Sequence, residues 1–188
     1  MVKDVKKAET CLIFLFPQLV SDKIFLPTSE INPHYNCIAW AMRFADRWVD
    51  PTVTAGHWWP IQVTGKVTTD LHPDTLVKAF EALSFTICPN GKKEWFYDKV
   101  ALYYNPATGL WSHAARIIND NEYYSKIGGL WALHHGAGGT LSNPASGIND
   151  YGIIYKYMRR PKYKRFYSLW LSLSLFYDKL KNVIRCLF

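Results

Sequence analysis

The sequence predicts an α+β fold, with helices in the first half and an antiparallel sheet in the second. Apolar residues recur at helical spacing after residue 37 and again after residue 73. From residue 95 to 158, segments rich in aromatic and β-branched residues follow one another, separated by turn sequences. Helices first and a strand meander second is the pattern of an α+β domain with an antiparallel sheet.

Along the chain, residues 10–35 read as irregular, punctuated by Pro17, Pro27 and Pro33. The first helix begins at Cys37. Asn36 is a favoured N-cap type, and Cys37, Ala41, Phe44, Ala45 and Trp48 keep helical spacing until Pro51 stops it. "AGHWWP" (55–60) reads as loop. A second helix starts near Pro73 with Leu76, Phe80 and Leu83 on one face. Four strands are expected at 95–104, 110–118, 122–127 and 151–158, with "NPATG" and "NDN" as turns. The glycine-rich stretch 128–150 is a long loop, of the kind that serves as a lid. From residue 165 an amphipathic helix is expected, its stripe formed by Phe166, Leu169, Trp170, Leu173, Phe176, Leu180, Ile184 and Leu187.

The 188 residues are 49% hydrophobic and 16% aromatic, enough for one domain with a sizeable core. We assign residues 10–160 to that domain and 161–188 to a basic helical tail. Residues 159–188 hold eight Lys or Arg against Asp178 alone, which accounts for the whole net charge of +7. A neutral body gives no nucleic-acid signal. Four dispersed cysteines make neither a disulfide framework nor a zinc ribbon, so a reducing, cytoplasmic location is expected. Residues 11–20 mimic a signal peptide, but the run is short, is broken by Pro17 and lacks a cleavage site. No segment is long and apolar enough to span a bilayer.

Cys37 carries the chemical question. A helix N-terminus favours a thiolate, and its free N–H groups help hold an oxyanion. A nucleophilic thiol then needs a histidine base. Of six histidines, His113 is the best placed, early in a strand and followed by two alanines that leave room for a close-packed helix. His134 and His135 fall in or beside the loop. The competing reading is plain: a free cysteine is among the most buried residue types and is often only core.

The element order, a helix with an N-terminal cysteine and then a meander whose second strand carries a histidine, resembles the papain-like cysteine peptidases, most closely the NlpC-type branch. The resemblance implies a papain-like core of N-terminal helices on a four-stranded sheet. It also implies a third polar residue about twelve positions after His113, which lands on Ser125. The branch usually has His, Asn or Gln there, and Lys126 and His134 are the alternatives. The sequence is also similar to an uncharacterised bacterial domain family within this fold, through "FPQL" (16–19), "YNCIAWA" (35–41), "HWWP" (57–60), "KVALYY" (99–104), "SHAAR" (112–116), "YSKIG" (124–128) and "YG" (151–152).

The resemblance implies a thiol hydrolase that cleaves a peptide, isopeptide or other amide through Cys37 and His113, oriented by Ser125, with a toxin or defence effector among the roles it admits. Tyr35, Asn36, His57 and Trp58 are expected to line the substrate cleft. No cofactor or metal is expected. The same dyad serves an acyltransferase or deamidase equally well, and a non-catalytic membrane- or partner-binding module is the third reading. The partner is a protein or peptide substrate, with membrane-surface or homodimer contact through residues 165–188.

Overall fold

The computed structural model describes residues 2–51, 57–60, 70–136, 141–142 and 150–165. Residues 166–188 of the expected tail helix, and residues 137–140 and 143–149 of the expected lid loop, lie outside them.

Helix α1 (Val5–Leu15) opens the chain, with the Asp4 carboxylate accepting from the Lys7 N–H at 2.9 Å to cap its first turn. A 3₁₀ turn (Pro17–Ser21) and the two-residue strand β1 (Leu26–Pro27) follow. Residues 10–35 are therefore not irregular throughout. Ala8, Leu12, Phe16 and Leu19 form a buried seam along α1 and the 3₁₀ turn, each large side chain contributing about 1.5–3 kcal/mol of transfer free energy.

Helix α2 (Cys37–Met42) is half as long as its spacing suggests. Arg43 adopts the left-handed region at φ 75° and ends it, and Phe44 turns back to donate to the Ala39 carbonyl at 2.8 Å. Helix α3 (Pro73–Glu81) follows, with His72 accepting from the Asp74 N–H. Then come β2 (Thr86–Cys88), β3 (Tyr97–Asn105), β4 (Leu110–Asn119), β5 (Glu122–Lys126), β6 (Ala132–His135) and β7 (Ile153–Pro161).

These strands form one seven-stranded antiparallel sheet in the order β1-β6-β5-β4-β3-β7-β2. This corrects the expected architecture. The four expected strands are present as β3, β4, β5 and β7, but β1, β2 and β6 extend the sheet on both sides. The helices among the described residues are few and short. The fold is mostly sheet, not an α+β papain-like core with N-terminal helices on four strands. The three added strands have two, three and four residues, too few for an alternation to register in the sequence.

Strand alternation divides the sheet into two faces. Val100, Leu102, Ala114 and Met158 face α2 and α3 in one core cluster with Cys37, Ile38, Leu76 and Phe80. Ala101, Tyr103, Ala115 and Tyr123 face the other way. Leu133 on that side packs with Leu12, Phe16 and Leu19 of the α1 layer. No helix among the described residues is long and apolar enough to cross a membrane.

Candidate functional site

Asn36 sets the corner in which Cys37 lies. Its Oδ1 accepts from the Ala39 N–H at 3.0 Å, capping α2, while its Nδ2 donates to the Val49 carbonyl at 2.7 Å. Val49 is bridged to Trp58. Trp58 packs edge-on against Phe44, and His57 stacks on Trp48. Tyr35 stacks on Trp40, and the Lys126 ammonium lies 5.0 Å from the Tyr35 ring centre. The structure thus gathers Tyr35, Asn36, His57 and Trp58 around the start of α2. Asn36 is 5% exposed with its amide engaged on both sides, so it holds the corner together.

Cys37 is buried at 7% exposure. Burial pushes its thiol up to about 11, against the pull of the Ala114, Ile38 and Cys37 N–H groups and of Lys126. The expected thiolate at a helix terminus is therefore corrected. A six-residue helix has too small a dipole to offset complete desolvation, and the resting group is a thiol.

His113 is fully buried on β4. Its ring leaves the strand on the α1 face, stacked on Tyr151 with ring centres 4.2 Å apart and planes within 4°, with Tyr103 packed against it at 5.4 Å. Ser112 fixes that stack by donating to the Tyr151 carbonyl at 2.7 Å. Gly152 then takes φ +66°, where a Cβ would lie 2.1 Å from the Tyr104 carbonyl oxygen, so only glycine lets the chain turn behind Tyr151. Ala114, the next residue, belongs to the Cys37 cluster on the opposite face. Ring and thiol therefore lie on opposite faces of β4, and no hydrogen bond joins sulfur to ring.

Backbone pairing of β4 with β5 runs only as far as Arg116↔Tyr124. Beyond it a side-chain chain takes over. Ser125 Oγ lies 2.9 Å from His113 Nε2 and 2.8 Å from His135 Nε2, and His135 Nδ1 lies 2.9 Å from the Gly136 carbonyl oxygen. A carbonyl can only accept, so His135 carries its proton on Nδ1. Burial holds His135 down to about 4, so the ring is neutral near pH 7 and Nε2 is an acceptor. Ser125 must donate its hydroxyl proton there, which leaves its oxygen to accept from His113 Nε2–H. The bare lone pair of His113 is then on Nδ1, the ring nitrogen nearer the backbone. That atom is buried with no partner. Burial first, and His135 second, hold His113 well below its ordinary value, so the ring stays neutral.

The chain orients an imidazole as a carboxylate does in a Ser-His-Asp site, but without charge. Ser125, expected as the third residue, does contact His113. Lys126 does not: its Nζ donates to the Asn32, Gly128 and Leu130 carbonyls at 2.9, 3.0 and 2.6 Å. His134 points to the opposite face, edge-on to Tyr124. Sequence reasoning missed His135. Its alternation with Leu133 in "WALHHG" was the available signal, masked by the adjacent glycines. Among the described residues, no group of three or more His, Cys, Asp or Glu is placed to hold a metal ion.

No curated protein and no solved structure significantly matches the chain. Residues 27–159, which run from the end of β1 to the body of β7 and include Cys37, His113, Ser125, His135 and Tyr151, match one family described as a domain of unknown function. The chain belongs to this uncharacterised family, DUF7689.

Proposed function

We propose that the protein is a thiol hydrolase acting on an amide, isopeptide or ester, with Cys37 as nucleophile and His113 Nδ1 as base. The observation that carries this reading is the unpartnered, acceptor-form Nδ1 of His113, on β4 one residue before Ala114, which packs with Cys37. An orphaned buried acceptor costs on the order of 1–3 kcal/mol, and a proton to receive in the reaction gives it a use.

In the proposed cycle, Nδ1 takes the thiol proton as sulfur attacks the carbonyl carbon. The Cys37 N–H helps stabilise the oxyanion. The imidazolium then protonates the departing amine or alkoxide, leaving a thioester. Water attacks that thioester, gives a proton to Nδ1, and the thiol is restored as the acid leaves. A neutral thiol–imidazole pair suits this order, since proton transfer accompanies attack and no resting ion pair is needed. Ring and thiol lie on opposite faces of β4, so this cycle requires the start of β4 to turn and bring Nδ1 to the sulfur. If an amine or hydroxyl replaces water, the same residues perform acyl transfer.

A second reading has its own support. Cys37 is almost wholly buried and its thiol is pushed up, as for a cysteine that only fills core. The two readings part in an acylation assay with an activated ester, followed by mass spectrometry of the intact chain. The enzyme reading expects an acyl group on Cys37 that is lost with time, and formation slowed by about a hundredfold or more in His113→Ala. A folded His113→Ala protein that acylates at the native rate overturns it.

A further inference from the structure

A second polar site lies at the end of the sheet where β3 starts, beyond the other end of α2 from Cys37. A groove of about 430 Å³ lies between the end of α2, the start of β3, the end of β4 and the turn after β7. Ligand pockets begin at about 300 Å³. Arg43, Lys93, Lys99, Arg116, Lys162 and Arg165 line it, against only two carboxylates, Glu94 and Asp98.

Both carboxylates are already shared. Asp98 faces Arg43 at 2.9 Å, Arg160 at 3.6 Å and Arg165 at 2.5 Å. Glu94 pairs with Lys99 at 2.7 Å and with Arg159. Arg116 has no ion-pair partner among the described residues, and its Nε is buried without an acceptor. Its guanidinium carbon lies over the Trp40 ring, 3.8 Å from the ring centre, a contact that restrains it. Burial, and then Arg43, push its pKa down to about 9, against the pull of Asp98.

We propose that this groove binds a small, multiply charged phosphate compound, with Arg116 as its restrained donor and Arg43, Lys93 and Lys162 around it. The excess of cations over carboxylates is more than one ligand carboxylate can neutralise. A guanidinium restrained against an aromatic ring suits bidentate phosphate recognition. The site is independent of the thiol chemistry. The phosphate can belong to a soluble compound or to a lipid headgroup.

The test is calorimetric titration of the full chain with inorganic triphosphate at matched ionic strength. Saturable one-to-one binding is expected, weakened about tenfold or more in Arg116→Gln and unchanged in Lys7→Gln. Lys93→Gln gives a milder loss and serves if Arg116→Gln does not fold. No saturable binding, or equal losses in Lys7→Gln and the groove variants, overturns the proposal. Flotation with phosphoinositide vesicles distinguishes the sources. Flotation that triphosphate competes away and Arg116→Gln abolishes assigns a headgroup. Triphosphate binding without flotation assigns a soluble compound. Flotation unaffected by Arg116→Gln, together with absent triphosphate binding, removes the groove.

Discussion

The sheet buries two polar clusters that meet the cost of desolvation in different ways. On the α1 face, His113, Ser125 and His135 are fully buried and neutral, each hydrogen bond fixing the direction of the next. On the α2 face, Asp98 and Arg160 are buried as ions, with Arg43 and Arg165 half-exposed around the same carboxylate. A neutral chain avoids the price of burying charge, but its geometry leaves one acceptor open at His113 Nδ1. An ionic cluster must match charge for charge, and here the cations outnumber the acids. Each cluster has a surplus, a lone pair in one and a positive charge in the other, and each surplus marks a candidate site.

Breaking the ionic cluster has the largest expected effect. Asp98→Ala removes the carboxylate that Arg160, Arg43 and Arg165 share. A loss of about 3–5 kcal/mol is expected from denaturant unfolding. Asp98→Asn, which keeps the shape, should recover only a small part. A loss below about 1 kcal/mol for Asp98→Ala means that solvent already compensates these arginines.

Acid separates the clusters next. His135 has a folded pKa of about 4, below the unfolded 6.5, so the unfolded chain binds more protons between these values. Stability from this group is fully present above about pH 6.5 and is lost as pH falls toward 4, by about 3 kcal/mol. His113 is shifted the same way by burial and adds to the loss. Asp98 is held below the ordinary carboxylate range. Burial opposes that shift but is outweighed by Arg165, Arg43 and Arg160. Its stabilisation is present above the unfolded carboxylate value and is lost only as pH falls through the lower folded one. Unfolding curves at pH 7, 5.5 and 4 should weaken in the native chain before the ionic cluster titrates. A flat profile across that range contradicts the neutral histidine chain.

Much of this contrast was hidden in the sequence, for physical reasons. The long strands β3, β4 and β7 were legible because nine or ten residues show their alternation and turns. Cys37, His113 and Ser125 were legible as single residues. His135 was not, because β6 has four residues and a glycine-rich flank, so it reads as loop. The arginine cluster escaped for another reason. Arg43, Asp98, Arg116 and Arg160 are scattered through the chain, and only sheet pairing brings them together. Charge counts placed the surplus in residues 159–188, and the contacts of Arg159, Arg160 and Arg165 with Glu94 and Asp98 are not visible in a count. The helix length of α2 failed because periodicity in 37–48 gave no sign of the left-handed turn at Arg43.

Ser125→Ala sharpens the neutral side. It removes one hydroxyl and leaves two imidazole nitrogens without partners, a loss of about 2 kcal/mol by thermal unfolding. The informative readout is the tautomer. Without Ser125, nothing holds the His113 proton on Nε2, and nitrogen NMR of the ring should show proton density shifting to Nδ1. If Nδ1 remains the bare nitrogen, the hydroxyl is not what orients the ring.

The smallest expected effect probes what covers the neutral cluster. Helix α1 is capped by Asp4, whose carboxylate accepts from the Lys7 N–H, and its buried seam includes Phe16, whose ring lies 5.1 Å from Tyr151. Tyr151 in turn stacks on His113. Asp4→Ala removes the cap at a cost of about 1 kcal/mol. Because α1 packs on one face only, the loss should appear as local opening there, about a fivefold rise in the open population. Modification of His113 and His135 by diethylpyrocarbonate should accelerate by that factor, while hydrogen exchange of the β3 amides around Asp98 stays constant. Equal acceleration on both faces means that α1 and the sheet open as one cooperative unit, and the two clusters then share a single stability.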